Sequence, residues 1–234
     1  MALYQSIATL LFSHFSLYLA LVLCHDGGYL EAMMIKAIVF DIGGVLEITP
    51  PTGWIERWEQ QLGLAAGSIN QQMHDLWLGG SIGTVSEQVV EAGIAERLGL
   101  DERQLAAFLA DLWAEYLGTL NHELLEFFAS LRPRYTTAIL SNSFVGARQR
   151  EQAAYGFEDC CDLIIYSHEE GLKKPDPAFY RLACERLNIQ PHEMFFLDDI
   201  EVVVEAAHAV GINAILYRSN QQAIAEIQAL LAAA

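Results

Sequence analysis

Four apolar runs in this chain lead into residues able to handle phosphate or a metal ion. Ile35 to Phe40 runs into Asp41, with Gly43 and Gly44 close behind. Thr137 to Leu140 runs into Ser141 and Asn142. Leu163 to Tyr166 precedes Lys173, Lys174 and Pro175, and Met194 to Leu197 runs into Asp198 and Asp199. A carboxylate such as Asp41, held beside a phosphate and a metal, can attack phosphorus and form an aspartyl-phosphate. The glycines behind it let backbone amides approach a ligand closely. Two adjacent carboxylates after an apolar strand are costly unless something positive lies between them, and Mg²⁺ suits Asp198 and Asp199 because it is a hard cation that takes carboxylate oxygens. Lys174, its direction fixed by Pro175, can neutralise phosphoryl oxygens and the nucleophile in a charge-dense transition state. The Ser141 hydroxyl and the Asn142 amide are good phosphate hydrogen-bonders. Each block taken alone has an ordinary reading as well: Asp41 as the cap of a glycine turn, Ser141-Asn142 as a simple turn, Asp198-Asp199 as an acidic pair at a helix start.

The elements needed to hold these residues are legible around them. Strand-like runs alternate with helical patterns at 122 to 131, 144 to 154 and 202 to 210. Another helix runs from Pro177, capped by Asp176, to Leu187, and an Ala-rich helix closes the chain. Alternation of this kind predicts a Rossmann-like α/β fold: a parallel sheet with helices on both faces, which binds ligands at the carboxyl ends of its strands. Between the first strand and residue 125 the pattern is helical throughout. Leu105, Phe108, Leu109, Leu112, Trp113 and Tyr116 share one face there, and Ser86 opens a helix running to about Leu98. The expected organisation is therefore an α/β core of residues 33–47 and 126–234, with a helical cap of residues 48–125 inserted over the active-site end. Trp54, Trp58, Trp77 and Trp113 are candidate walls for a substrate cavity and equally candidates for the core of the cap.

The blocks Phe40-Asp41-Ile42-Gly43-Gly44-Val45-Leu46, Leu140-Ser141-Asn142-Ser143, Gly171-Leu172-Lys173-Lys174-Pro175-Asp176-Pro177 and Phe196-Leu197-Asp198-Asp199 resemble, in order and spacing, the haloacid dehalogenase (HAD) superfamily, and above all its phosphatases with a small helical cap. The resemblance runs from about Met34 to about Tyr217. It implies Asp41 as nucleophile, Lys174 rather than Lys173 as the functional lysine, and Ser141 and Asn142 as phosphate contacts. It also implies a Mg²⁺ site made by Asp41, the backbone carbonyl of Gly43 and Asp199, with Asp198 in support.

One position departs from the family pattern. Where most of these phosphatases carry a second aspartate two residues after the nucleophile, this chain has Gly43. That aspartate protonates the leaving oxygen and later activates water, work worth roughly 10² to 10⁴ in rate. Val203 likewise stands where relatives often place a polar residue behind the paired carboxylates. Three readings follow: a Mg²⁺-dependent phosphomonoester hydrolase in which water, Glu47 or a good leaving group makes up for the missing acid; a dehalogenase-like hydrolase working through an aspartyl ester; or a catalytically silent phosphate-binding or regulatory protein. The carboxylate pair Asp198-Asp199 speaks against the second, because it would repel a haloacid. The expected activity is the first, on a small phosphorylated metabolite.

Composition bounds the rest. The chain has 234 residues, of which 53% are hydrophobic, enough for one core domain and a modest insertion. A formal net charge of -17, from 13 basic and 30 acidic residues, argues against a nucleic-acid backbone partner, which needs a basic face. Cys24, Cys160, Cys161 and Cys184 have no zinc-site spacing and read as reduced structural thiols. Residues 1–32 are mostly apolar with no basic region in front. They are expected to be an extension ahead of a cytoplasmic protein starting at Met33 or Met34, the alternative being a membrane anchor.

Overall fold

The structure is a computed structural model, and residues 34–233 are described. Residues 1–32, and with them the choice between extension and anchor, lie outside the described residues, as does Cys24. Among the described residues no helix is long and apolar enough to cross a membrane, and Cys160, Cys161 and Cys184 are free thiols.

Five strands form one parallel sheet: β1 (Ala37–Phe40), β4 (Thr136–Ser141), β5 (Leu163–Tyr166), β6 (Met194–Asp198) and β7 (Asn213–Leu216), in the order β5-β4-β1-β6-β7. Their side chains alternate in the two-residue period of a strand. Ile38, Phe40, Ile139, Phe195 and Leu197 enter one apolar cluster, while Ala37, Val39, Ala138, Leu140 and Phe196 enter the other. Both faces are buried, which is why the strands read as continuous apolar runs. The first face is covered by α5 (His122–Ser130) and α11 (Asn220–Ala233), the second by α9 (Pro177–Leu187) and α10 (Glu201–Ala209).

The strand order fixes where a ligand can sit. From β1 the chain builds outward to β4 and β5 on one side, then returns to place β6 and β7 on the other. The carboxyl end of β1 is thus the point where the winding reverses, and crevices form at such points. Phe40 pairs with Leu197 in register, so the next residues, Asp41 and Asp198, emerge side by side.

Between β1 and α5 the chain makes four helices, α1 (Trp54–Leu62), α2 (Ser68–Ser81), α3 (Glu87–Leu98) and α4 (Glu102–Leu117). They have a core of their own: Trp54 and Trp58 pack edge-on against Phe108, with Ile69, Met73, Leu76, Val90 and Ile94 around them. Ser86 caps α3 as its sequence predicts, accepting from Val89 N. The helices leave and rejoin the sheet layer through a two-stranded antiparallel ribbon, β2 (Glu47–Ile48) with β3 (Thr119–Leu120). Strands of two residues give no periodicity to read. The ribbon also moves the boundary expected near 125: Leu124, Leu125 and Phe128 of α5 pack into the sheet cluster, so the chain has rejoined the α/β layer by α5.

Three short helical pieces, α6 (Ala147–Tyr155), α7 (Phe157–Cys160) and α8 (Ser167–Glu170), complete the outer layer on the β4-β5 side.

Candidate active site

Asp41 leaves the end of β1 with its backbone N–H bonded to Leu197 O, 2.9 Å, and its Oδ1 accepting from Ile42 N at 2.8 Å. The carboxylate is thereby turned toward the rim of the sheet. Lys174 is 3% exposed, and its Nζ lies 2.7 Å from Asp41 Oδ1 and 2.7 Å from Asp198 Oδ2. Asp198 Oδ1 accepts from Ile200 N at 2.9 Å, so both of its oxygens are engaged and it acts as an anchor for the lysine. Asp41 Oδ2, by contrast, takes no protein hydrogen bond among the described residues. It is the carboxylate oxygen left without a partner.

The electrostatics follow from this packing. Burial pushes the Asp41 carboxyl up to about 7, the Asp198 charge adds to the effect, and Lys174 opposes it. Burial would lower the lysine, but the charges of Asp41 and Asp198 outweigh it and hold its ammonium above the ordinary value.

The structure gives Asn142 a different task from the phosphate contact expected of its amide. Nδ2 donates to Lys174 O at 2.9 Å and Oδ1 accepts from Lys174 N at 2.8 Å. The side chain is a clamp on the lysine's backbone, which leaves the main-chain N–H of Asn142 as its offering to a ligand. Ser141 is buried beside it at the end of β4. Asp176 caps α9 by accepting from Ala178 N at 2.8 Å, with Pro177 in the first turn, and so fixes the far side of the Lys174 loop. Lys173 is exposed and makes no ion pair among the described residues.

Asp199 completes the group. Carboxylate oxygens of Asp41, Asp198 and Asp199 lie within 4.8 Å of one another. Burial, reinforced by Asp198, raises the Asp199 carboxyl. Three carboxylates facing one ammonium leave a net negative charge, and the donors are hard oxygens, so the residues fit a Mg²⁺ ion. The Gly43 carbonyl also fits, because it accepts no backbone hydrogen bond among the described residues. Gly44 (φ 77°) has room for Asp199 only because it has no side chain. Val203 turns out to lie in the apolar cluster behind the sheet, with its carbonyl accepting from the Tyr180 hydroxyl at 2.7 Å; position 203 packs here and does not face the carboxylates.

A cavity of about 340 Å³ opens beside this group. Its floor is Ile42 and Gly43, which follow Asp41 in the chain, with Ser141 and Asn142 at the end of β4, and its walls include Trp54, Ile55, Leu112 and Tyr116 from the helical insertion. A second, apolar hollow of about 250 Å³ shares Trp54, Leu112 and Tyr116 and adds Trp77 and Phe144. Of the four tryptophans, Trp54 and Trp77 therefore reach the hollows, Trp58 stays in the helical core, and Trp113 lies under the guanidinium of Arg150, 4.0 Å from its ring centre.

Two further carboxyls line the first cavity. Glu47, on β2, is 1% exposed and pushed up to about 9 by burial, then by the charges of Glu151 and Asp41. Glu151, on α6, is fully buried and raised to about 7 by burial, offset in part by the Tyr166 hydroxyl that donates to it. Sequence reasoning reached Glu47 but missed Glu151, which sits in the polar run Ala147–Tyr155 with no local mark of burial.

Residues 35–211 match the family model of the haloacid dehalogenase-like hydrolases. The chain belongs to this family. Phosphatase MT3486 of Mycobacterium tuberculosis is 31% identical over 202 residues, covering 81% of this chain and 90% of that protein. The mouse protein named acyl-CoA dehydrogenase family member 10 is 26% identical over 216 residues; these are 88% of this hydrolase but only 20% of the mouse chain, so this chain spans a small part of that relative. Proteins named as epoxide hydrolases and haloacid dehalogenases also match. Among solved structures, the HAD family enzyme bt-2542 of Bacteroides thetaiotaomicron, in complex with magnesium and inorganic phosphate, superposes with a TM-score of 0.68 at 24% identity. The match covers 80% of this hydrolase and 96% of that chain.

Proposed function

We propose that this hydrolase is a Mg²⁺-dependent phosphatase of small phosphomonoesters, with the helical insertion acting as a cap over its cavity. The observation that carries the reading is the placement of Lys174 between Asp41 and Asp198, which holds one Asp41 oxygen and leaves the other free beside Asp199. The phosphatase among the relatives and the phosphate-bound neighbour support the same direction.

In this mechanism Asp41 Oδ2 bonds to phosphorus while the bond to the ester oxygen breaks, its electron pair leaving with the alcohol. Lys174 offsets the charge gathered on the phosphoryl oxygens. The Ser141 hydroxyl and the Asn142 main-chain N–H hold those oxygens in place. Mg²⁺, held by Asp41, Asp199 and the Gly43 carbonyl with Asp198 behind, would supply further positive charge against the phosphoryl group. Gly43 has no proton to give, so the departing alkoxide takes one from cavity water. The hydroxide this leaves takes a proton from a second water as that water attacks the phosphorus of the aspartyl-phosphate, breaking its bond to Asp41 Oδ2, returning the carboxylate and releasing inorganic phosphate.

The dehalogenase alternative is disfavoured by the carboxylate group itself, since a haloacid would bring a further anion among three carboxylates countered by a single ammonium. The test is phosphate release from p-nitrophenyl phosphate and a panel of alkyl and sugar phosphates, with Mg²⁺ and with EDTA. Turnover that needs Mg²⁺ and is lost in Asp41→Asn is expected. Phosphate or Mg²⁺ binding with no turnover on any ester would instead favour the silent binding protein.

A further inference from the structure

The reaction as drawn uses the rim of the sheet and leaves the Glu47 and Glu151 side of the cavity without a task. Both side chains are buried, both line the cavity, and Oε1 of each has no hydrogen-bond partner. Buried carboxyl oxygens are rarely left unpaired, because losing water without a replacement is costly. No lysine, arginine or histidine lines the cavity, and neither glutamate takes part in an ion pair among the described residues. A third glutamate, Glu115, stands in the same wall; although burial opposes it, hydrogen bonds from Thr52 and Trp54 keep its carboxyl below the ordinary value, hence charged. The rings of Trp54 and Tyr116 complete this side, and aromatic faces attract cations.

We infer that this side of the cavity binds a ligand ammonium group, so that the preferred substrate is a short aminoalkyl phosphate whose phosphate meets Lys174 while its ammonium meets Glu47 and Glu151. The inference rests on the phosphatase reading for its phosphate end. An ammonium supplies the donors that both Oε1 atoms lack and the charge that the wall lacks, which a neutral polyol does only in part and a second anion not at all. It also bears on Gly43. A cationic group two carbons from the ester oxygen makes that alcohol more acidic and a better leaving group. Such an ester depends less on the general acid this chain does without.

The test separates recognition from turnover by using phosphonates, whose carbon–phosphorus bond this chemistry does not cleave. The full chain with Mg²⁺ is titrated calorimetrically at neutral pH with 2-aminoethylphosphonate and with 2-hydroxyethylphosphonate. The amino probe should bind roughly tenfold or more tightly, the scale of one charge-assisted hydrogen bond. Glu151→Gln should shrink that ratio, and so should Glu47→Gln, because the ligand ammonium takes the place of the proton that buried Glu47 otherwise holds at neutral pH, while the hydroxy probe is little changed. Two variants are used so that one that fails to fold, seen in its thermal transition, leaves the other to decide. Equal binding of the two probes, binding of neither, or a preference unmoved in the folded variants would overturn the inference. Failure to release phosphate from any ester would remove the phosphatase reading alone, since the phosphonate ratio is measured without turnover.

Discussion

Gly44 stands directly against the carboxylate of Asp199: a methyl group on its α-carbon would overlap Oδ1, Oδ2 and Cγ of that side chain. The contact joins the turn after β1 to the loop after β6, so the glycine that lets the chain turn also sets where an outer carboxylate can lie. Gly44→Ala should displace Asp199 as well as strain a backbone at φ 77°. A weaker Mg²⁺ dependence, read as at least a tenfold rise in the Mg²⁺ concentration for half-maximal activity, is expected. An unchanged Mg²⁺ titration would remove Asp199 from the metal site.

Gly43 presents the opposite case, because a β-carbon there would meet nothing within 4 Å. Gly43→Asp therefore has room for its β-carbon and restores the acid that the family pattern places at this position. For alkyl phosphates kcat should rise, by up to about 10²-fold. For p-nitrophenyl phosphate, whose leaving group needs no proton, it should change little. A uniform effect on both esters would mean that the new carboxylate acts through charge and not through proton transfer.

Lys174→Met replaces the ammonium between Asp41 and Asp198 with an apolar chain of similar length. Two buried carboxylates then face each other uncompensated, a situation that costs roughly 3–5 kcal/mol when one partner of a buried pair is removed. Denaturant unfolding should report a loss of that order, together with loss of phosphate release. Asn142→Ala should leave the ion pairs chemically intact but free the Lys174 backbone, so that kcat falls with a much smaller effect on stability.

Glu47 makes stability depend on pH in a defined direction. Its carboxyl titrates near 4.5 in an unfolded chain and at about 9 in the folded one, so between those values the folded state holds the extra proton. Stability from this group is complete below about 4.5, declines as pH rises through the window and is lost above about 9. Glu47→Gln should flatten the fall in thermal midpoint from about pH 6 to about pH 9 relative to the parent chain. Equal slopes would show that Glu47 is not buried as an acid.

The sequence by itself determined the parallel α/β architecture and the catalytic candidates, for a local reason. An apolar run buried on both faces must end at the rim of the sheet, so the polar residue that ends it is delivered to the ligand-binding edge wherever the neighbouring strands lie. That logic places Asp41, Ser141, Asp198 and Asp199, and Pro177 behind Asp176 marks α9 in the same local way. Tertiary structure decided the rest, because it depends on distances between residues far apart in the chain. The register of β1 on β6 sets Asp41 beside Asp198 and lets Lys174 bridge them. The approach of Lys174 to Asn142 turns a side chain expected on the phosphate into a clamp, leaving the main-chain N–H for that task. The closing of the β2–β3 ribbon and of α6 over one cavity buries Glu47 and Glu151, the second of which sits in a polar run that no periodicity sets apart.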